Sequence, residues 1–214
     1  MGWGLFVLPW SEAADDLRSF EGRLLRSEAF APKALGQILD SPASKILNSC
    51  DTHSQRALLL MEMPLTAIAL RSGAAGEFDR RIRALETRSK GILSCTPRDS
   101  FVWLVMFYLE SLHGHLDEQL FDLLTMSYET SPNEAWISIR RNFVALPLVE
   151  IAPTPARQKI LDEFVRLVEN GFANDAARSY LAAPQQVRAL LLTLIQSIDE
   201  SRRKAFLEAL QTPK

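Results

Sequence analysis

The amino-acid sequence predicts an all-α protein, and three observations carry that prediction. Apolar residues recur at three- and four-residue spacing along most of the chain, the period that gathers them on one face of a helix. No stretch reads as period-2 strand, and Val and Ile never cluster between turn signals as a sheet would need. Glycine is scarce, nine in 214 residues, which suits helices joined by short turns.

The elements follow in order. Met1 to Trp10 is apolar and uncharged. Ten residues fall short of the roughly 20 that cross a bilayer, and no Lys or Arg precedes them as in a signal peptide. Residues 1–10 read as an apolar arm that packs on the fold, or as the tail end of a membrane anchor whose start lies upstream of Met1. These alternatives leave the location open between cytoplasmic and membrane-anchored periplasmic. Residues 11–214 read as one all-helical domain, with a sub-boundary at the Pro-rich link 147–155.

Ser11 is an expected N-cap, with Asp15 and Asp16 near the positive end of a helix that carries Leu17, Phe20, Leu24 and Leu25. Pro32 opens a short helix bearing Leu35, Ile38 and Leu39, ended by Asp40-Ser41-Pro42. A further turn carries Ile46 and Leu47 to Cys50. Asp51 or Thr52 caps a long helix that the run Ser72-Gly73-Ala74-Ala75-Gly76 ends, with a kink expected at Pro64. A return helix carries Phe78, Ile82, Leu85 and Ile92, with Arg80, Arg81, Arg83, Arg88 and Lys90 mostly on its other face.

Central helices are expected at about 98–112, 116–130 and 133–146. The first holds FVWLVMFYL, Phe101 to Leu109, apolar nearly all round and therefore covered on both sides. Pro155 opens an amphipathic helix with Ile160, Leu161, Phe164, Val165 and Val168, closed by Asn170-Gly171. Short helices follow from Asn174 and Pro184, and Asp199-Glu200 starts the last, with Phe206, Leu207 and Leu210.

Composition bounds the function. With 24 basic and 26 acidic residues and a net charge of -2, neither sign dominates, which argues against a nucleic-acid surface or a polybasic membrane patch. Cys50 and Cys95 are too few for a disulfide scaffold and lack zinc spacing, so they read as two ordinary thiols, or as one optional disulfide in an exported protein. No Gly-x-Ser-x-Gly and no phosphate loop occurs; Gly73-Ala-Ala-Gly76 lacks the following Lys and Ser or Thr. Acidic pairs such as Asp117-Glu118 sit at helix starts, where they offset the dipole. His113-Gly114-His115 could face one ion with Asp117 or Glu118, but it reads as a solvated turn between helices. The expectation is no catalytic residue, no metal and no cofactor.

Trp103…Gly114…Asp117-Glu118…Leu124…Ser127…Pro132 forms one hairpin pattern, and Trp136, Ile139 and Phe143 lead the next. Ile160…Leu167…Gly171…Ala176…Tyr180…Ala183 forms a third, near the 34-residue period of helical-hairpin arrays. Over Phe78 to Ala183, about half the chain, this resembles the tetratricopeptide repeat. Phe107 and Gln119 depart from the small residues of that motif. Trp103, Phe107, Trp136 and Phe143 are large and apolar, and are expected to pack inside, with Trp103 central. The resemblance implies antiparallel hairpins stacked as a right-handed superhelix. It also implies a concave partner-binding groove lined by Tyr108, Glu134, Ile137 and Arg141. The Trp103 and Trp136 region also looks like small bacterial helical-repeat proteins that accompany surface-polysaccharide synthesis and export. The function expected is a non-enzymatic protein-protein interaction or scaffold protein with a protein partner. The alternative is a structural or regulatory homo-oligomer without a peptide groove.

Overall fold

The structure, a computed structural model, describes residues 17, 19–25, 30–42, 44 and 47–211. The apolar arm, the Ser11 cap and Ile46 lie outside the described residues. Among the described residues every regular element is helical and no strand occurs. The helices are α1 (Pro32–Leu39), α2 (Thr52–Ser72), α3 (Ala75–Cys95), α4 (Ser100–Leu112), α5 (Glu118–Thr130), α6 (Ala135–Ala145), α7 (Thr154–Glu169), α8 (Ala173–Ala182), α9 (Gln185–Leu194) and α10 (Glu200–Gln211). Residues 19–25 are also helical. The chain divides into two compact units, Met1–Leu109 and Glu110–Lys214. The link 147–155 falls inside the second unit, where Leu146, Val149 and Ala152 are buried.

In the first unit α2 and α3 form a long hairpin, and α1 packs on α2. Asp51 caps α2 by accepting a bond from the Ser54 amide, and α2 runs unbroken through Pro64. The helix closes on Gly73 at φ 69°, the left-handed conformation that glycine adopts without a Cβ clash. Leu58, Leu59 and Met61 of α2 and Leu85 and Ile92 of α3 are fully buried. Cys50, just before α2, is disulfide-bonded to Cys95, the last residue of α3. The expectation of two ordinary thiols is therefore corrected: the antiparallel hairpin brings its open ends together and sets the two Cα atoms 5.5 Å apart, within bonding range.

Arg81 also departs from expectation. It faces inward, 4% exposed, and donates to Glu62 of α2 (Nη1–Oε2, 2.9 Å) and to Glu77 (Nε–Oε1, 2.7 Å). Burial pushes the Glu62 carboxyl above its ordinary range, with Arg81 pulling the other way. A second ionic knot centres on Arg56, which bonds Glu21 and Asp99, while His53 bonds the other Glu21 oxygen. Asp99 uses its second oxygen to cap α4 through the Phe101 and Val102 amides. The dense apolar run buries Phe101, Val102, Leu104, Val105, Phe107 and Leu109 completely. Trp103 is half-buried instead, and its indole N–H donates to the Pro97 carbonyl.

In the second unit α7 is the hub, packing against α5, α6, α8, α9 and α10. Its apolar stripe, Ile160, Leu161, Phe164, Leu167 and Val168, is buried. Phe206 of α10 meets the Phe164 and Tyr180 rings edge-on. The α7–α8 turn closes on Gly171 at φ 84°, with the Phe172 amide bonded to the Leu167 carbonyl and the Gly171 amide to that of Val168. Those paired bonds satisfy the last carbonyls of α7. Two expected core aromatics are not core. Phe143 is 49% exposed, and Trp136 is half-buried with its N–H on Glu134. The α6 face that turns inward carries Ile137, Ser138, Arg141, Asn142 and Ala145, and Phe143 lies off it.

Candidate functional site

Arg141 is the largest fully buried side chain of the second unit. An unpaired guanidinium could not be buried, because removing its charge from water costs several kcal/mol, roughly. The fold meets this cost with a matched anion. Glu163 projects from α7 and is 1% exposed. Arg141 Nη2 lies 2.6 Å from its Oε1, and Nε lies 3.0 Å from the same oxygen. The remaining donors reach Ser127 and Ser131 carbonyls at the end of α5 and the Ser127 and Ser138 hydroxyls. All five guanidinium N–H groups can thus be assigned an acceptor.

Tyr128 completes the network. Its hydroxyl donates to Glu163 Oε2 at 3.1 Å, and the Arg141 guanidinium carbon lies 4.0 Å above its ring centroid. Burial, then the neighbouring carboxylate, pushes the Tyr128 hydroxyl well above its ordinary pKa, so it stays a donor. Burial also raises the Glu163 carboxyl, against the opposing pull of Arg141. The ion pair is direct and forked, yet desolvation outweighs it in setting the direction of that shift. The network ties α5, α6 and α7 together, and Asn142 adds a bond from its amide to the Ile160 carbonyl.

An open cleft of about 470 Å³ lies over this network. Ser138 and Glu163 line its floor, Leu167, Phe172 and Pro132 supply apolar wall, and Asn133, Arg166 and Asn170 carry polar groups. Arg166 is exposed and has no ion-pair partner among the described residues. The cleft thus offers a cation beside an apolar wall.

The chain matches no family model, no curated protein and no solved structure. The functional reading rests on the site itself.

The four residues expected to line a groove divide between the two units. Tyr108 lies in the first, half-buried on α4, and burial raises its hydroxyl pKa. Glu134, Ile137 and Arg141 lie in the second. Glu134 is exposed at the start of α6. Ile137 and Arg141 are buried, so neither presents a side chain to a partner. Their burial follows from the face of α6 that packs on α7. Sequence reasoning missed Glu163, Tyr128 and Arg166. The readable signal for Glu163 was its position three after Ile160 and four before Leu167, an acid set within an apolar stripe.

One group among the described residues also has the donors to hold a metal ion: Glu110, His113 and His115.

Proposed function

We propose that the chain is a non-enzymatic interaction protein, built from helical hairpins that stack in the manner of tetratricopeptide repeats. The cleft between α6 and α7 would hold a short segment of a protein partner. The observation that carries this reading is the cleft itself: a rim cation, Arg166, beside Phe172, Leu167 and Pro132, over a floor braced by a buried ion pair. A segment that places a carboxylate on Arg166 and an apolar side chain against Phe172 matches that chemistry. The α7–α8 hairpin supports the repeat-like packing, since Ala176 and Ala183 are buried where a stacked hairpin needs small residues.

A photo-crosslinking residue at Asn133, expressed in the native cell, tests the reading. A discrete adduct that Arg166→Glu abolishes is expected; an adduct pattern indifferent to Arg166→Glu would remove the cleft from the account. The homo-oligomer reading draws on the half-exposed Phe143 ring of α6. Light scattering decides it, because a monomer at high concentration is incompatible with it.

A further inference from the structure

The C-terminal end of α4 carries the strongest unassigned chemistry in the second unit. Gly114 sits at φ 79°, and around it the chain closes the helix with two reversed bonds. The His115 amide donates to the Glu110 carbonyl (3.1 Å), and the Gly114 amide donates to that of Ser111 (3.2 Å). This closure folds the residue after the glycine back over the last helical turn. An apolar pair commonly fills the two positions it brings together. Here they are Glu110 and His115, and His113 adds a second imidazole one turn on from Glu110.

The side chains converge accordingly. His115 Nδ1 lies 2.7 Å from Glu110 Oε2, and His113 Nδ1 lies 3.8 Å from the same oxygen. One donor atom from each residue falls within 4.8 Å of the other two. Donors around a tetrahedral zinc ion lie about 3.3 Å apart, so small rotations of these side chains close the set. All three side chains retain solvent access, which leaves an entry path and room for water in the remaining coordination positions.

We propose that Glu110, His113 and His115 form a binding site for a single divalent transition ion of the zinc class. Two imidazoles and one carboxylate make a borderline donor set that suits Zn2+, Cu2+ or Ni2+ and disfavours Ca2+ and Mg2+, which take oxygen donors. The site is independent of the proposed cleft.

Titration calorimetry of the untagged, metal-stripped chain with Zn2+ tests it, with Co2+ as a spectroscopic probe. The expected result is one ion per chain, an ordered-site visible absorption with Co2+, and loss of both in the His113→Ala, His115→Ala double variant. Glu110→Gln is expected to weaken binding, and His53→Ala to leave it unchanged. These side chains are solvent-accessible, so circular dichroism should report an unchanged helical fold in each variant. Absence of stoichiometric binding, or binding that survives in the double variant, would overturn the proposal. Loss of binding in His53→Ala would do the same.

Discussion

Arg141 Nη2 and Glu163 Oε1 lie 2.6 Å apart inside the second unit, with neither side chain meaningfully exposed. The pair joins α6 to α7, and Ser127, Ser131 and Ser138 accept from the rest of the guanidinium. Such a pair adds little net stability over a well-packed apolar substitute, but losing one partner strands a buried charge. Its contribution is therefore conditional on both members being present.

The raised Glu163 carboxyl has a defined pH signature. A carboxyl whose pKa is higher in the folded than in the unfolded chain binds protons more tightly when folded. Its contribution is fully present below the ordinary value of 4.5 and is lost as pH rises through the folded value. Wild-type stability should therefore fall from pH 4 towards neutrality by more than that of Glu163→Gln. Urea unfolding at several pH values measures the difference; parallel profiles would contradict the assignment.

The Cys50–Cys95 disulfide closes a separation of 45 residues. Chain-entropy reasoning puts its contribution at about 4 kcal/mol. Both cysteines are exposed, so a reductant should reach the bond without prior unfolding. Reduction, or Cys50→Ser with Cys95→Ser, should lower the Tm of the first unit. A thermal melt insensitive to reductant would contradict this.

Two glycines with the same backbone sign should cost about the same to replace. An alanine Cβ at Gly73 meets open space, so only the strain of its positive φ remains, about 1 kcal/mol. At Gly171 the added Cβ meets only the Arg202 guanidinium, the far end of an exposed side chain that can swing aside. Gly171→Ala should therefore cost about as much as Gly73→Ala, with or without Arg202→Ala. Chemical denaturation of the set checks this, and a much larger loss at Gly171 that Arg202→Ala relieves would contradict it.

Phe107 and Trp103 reverse the ranking expected from the repeat pattern. Phe107 is completely buried, so Phe107→Ala should cost about 3–5 kcal/mol. Trp103 is half-buried and leaves less cavity behind, so Trp103→Ala should cost less. Equal shifts in the denaturation midpoint would place Trp103 deeper than the structure does.

The helices were legible because their signals are local. Pro32 at the start of α1 leaves no amide to satisfy, and the Asp51 cap, Gly73 and Gly171 settle groups within a turn of themselves. The partners of buried charges are not local. Arg141 and Glu163 are 22 residues apart, and only the packing of α6 on α7 decides that Arg141 faces inward. Glu62 and Arg81 pose the same problem at 19 residues. What could be read is that Glu62 and Glu163 interrupt apolar stripes, a placement that demands a partner without naming it. The histidine turn reads from sequence as a solvated turn, with an ion held beside Asp117 or Glu118 only as the lesser alternative. The left-handed Gly114 instead folds His115 back to Glu110, and Asp117 is taken by the Leu120 amide as the cap of α5.

Arg141 and Glu163 act as one unit beneath the cleft. A double-mutant cycle of Arg141→Met, Glu163→Leu and the pair, followed by urea unfolding, tests that directly. Each single substitution should cost about 3–5 kcal/mol. The double variant should cost far less than their sum, with a coupling energy of about 3 kcal/mol. Single costs that add to within about 0.5 kcal/mol would contradict the pairing and the braced floor built on it.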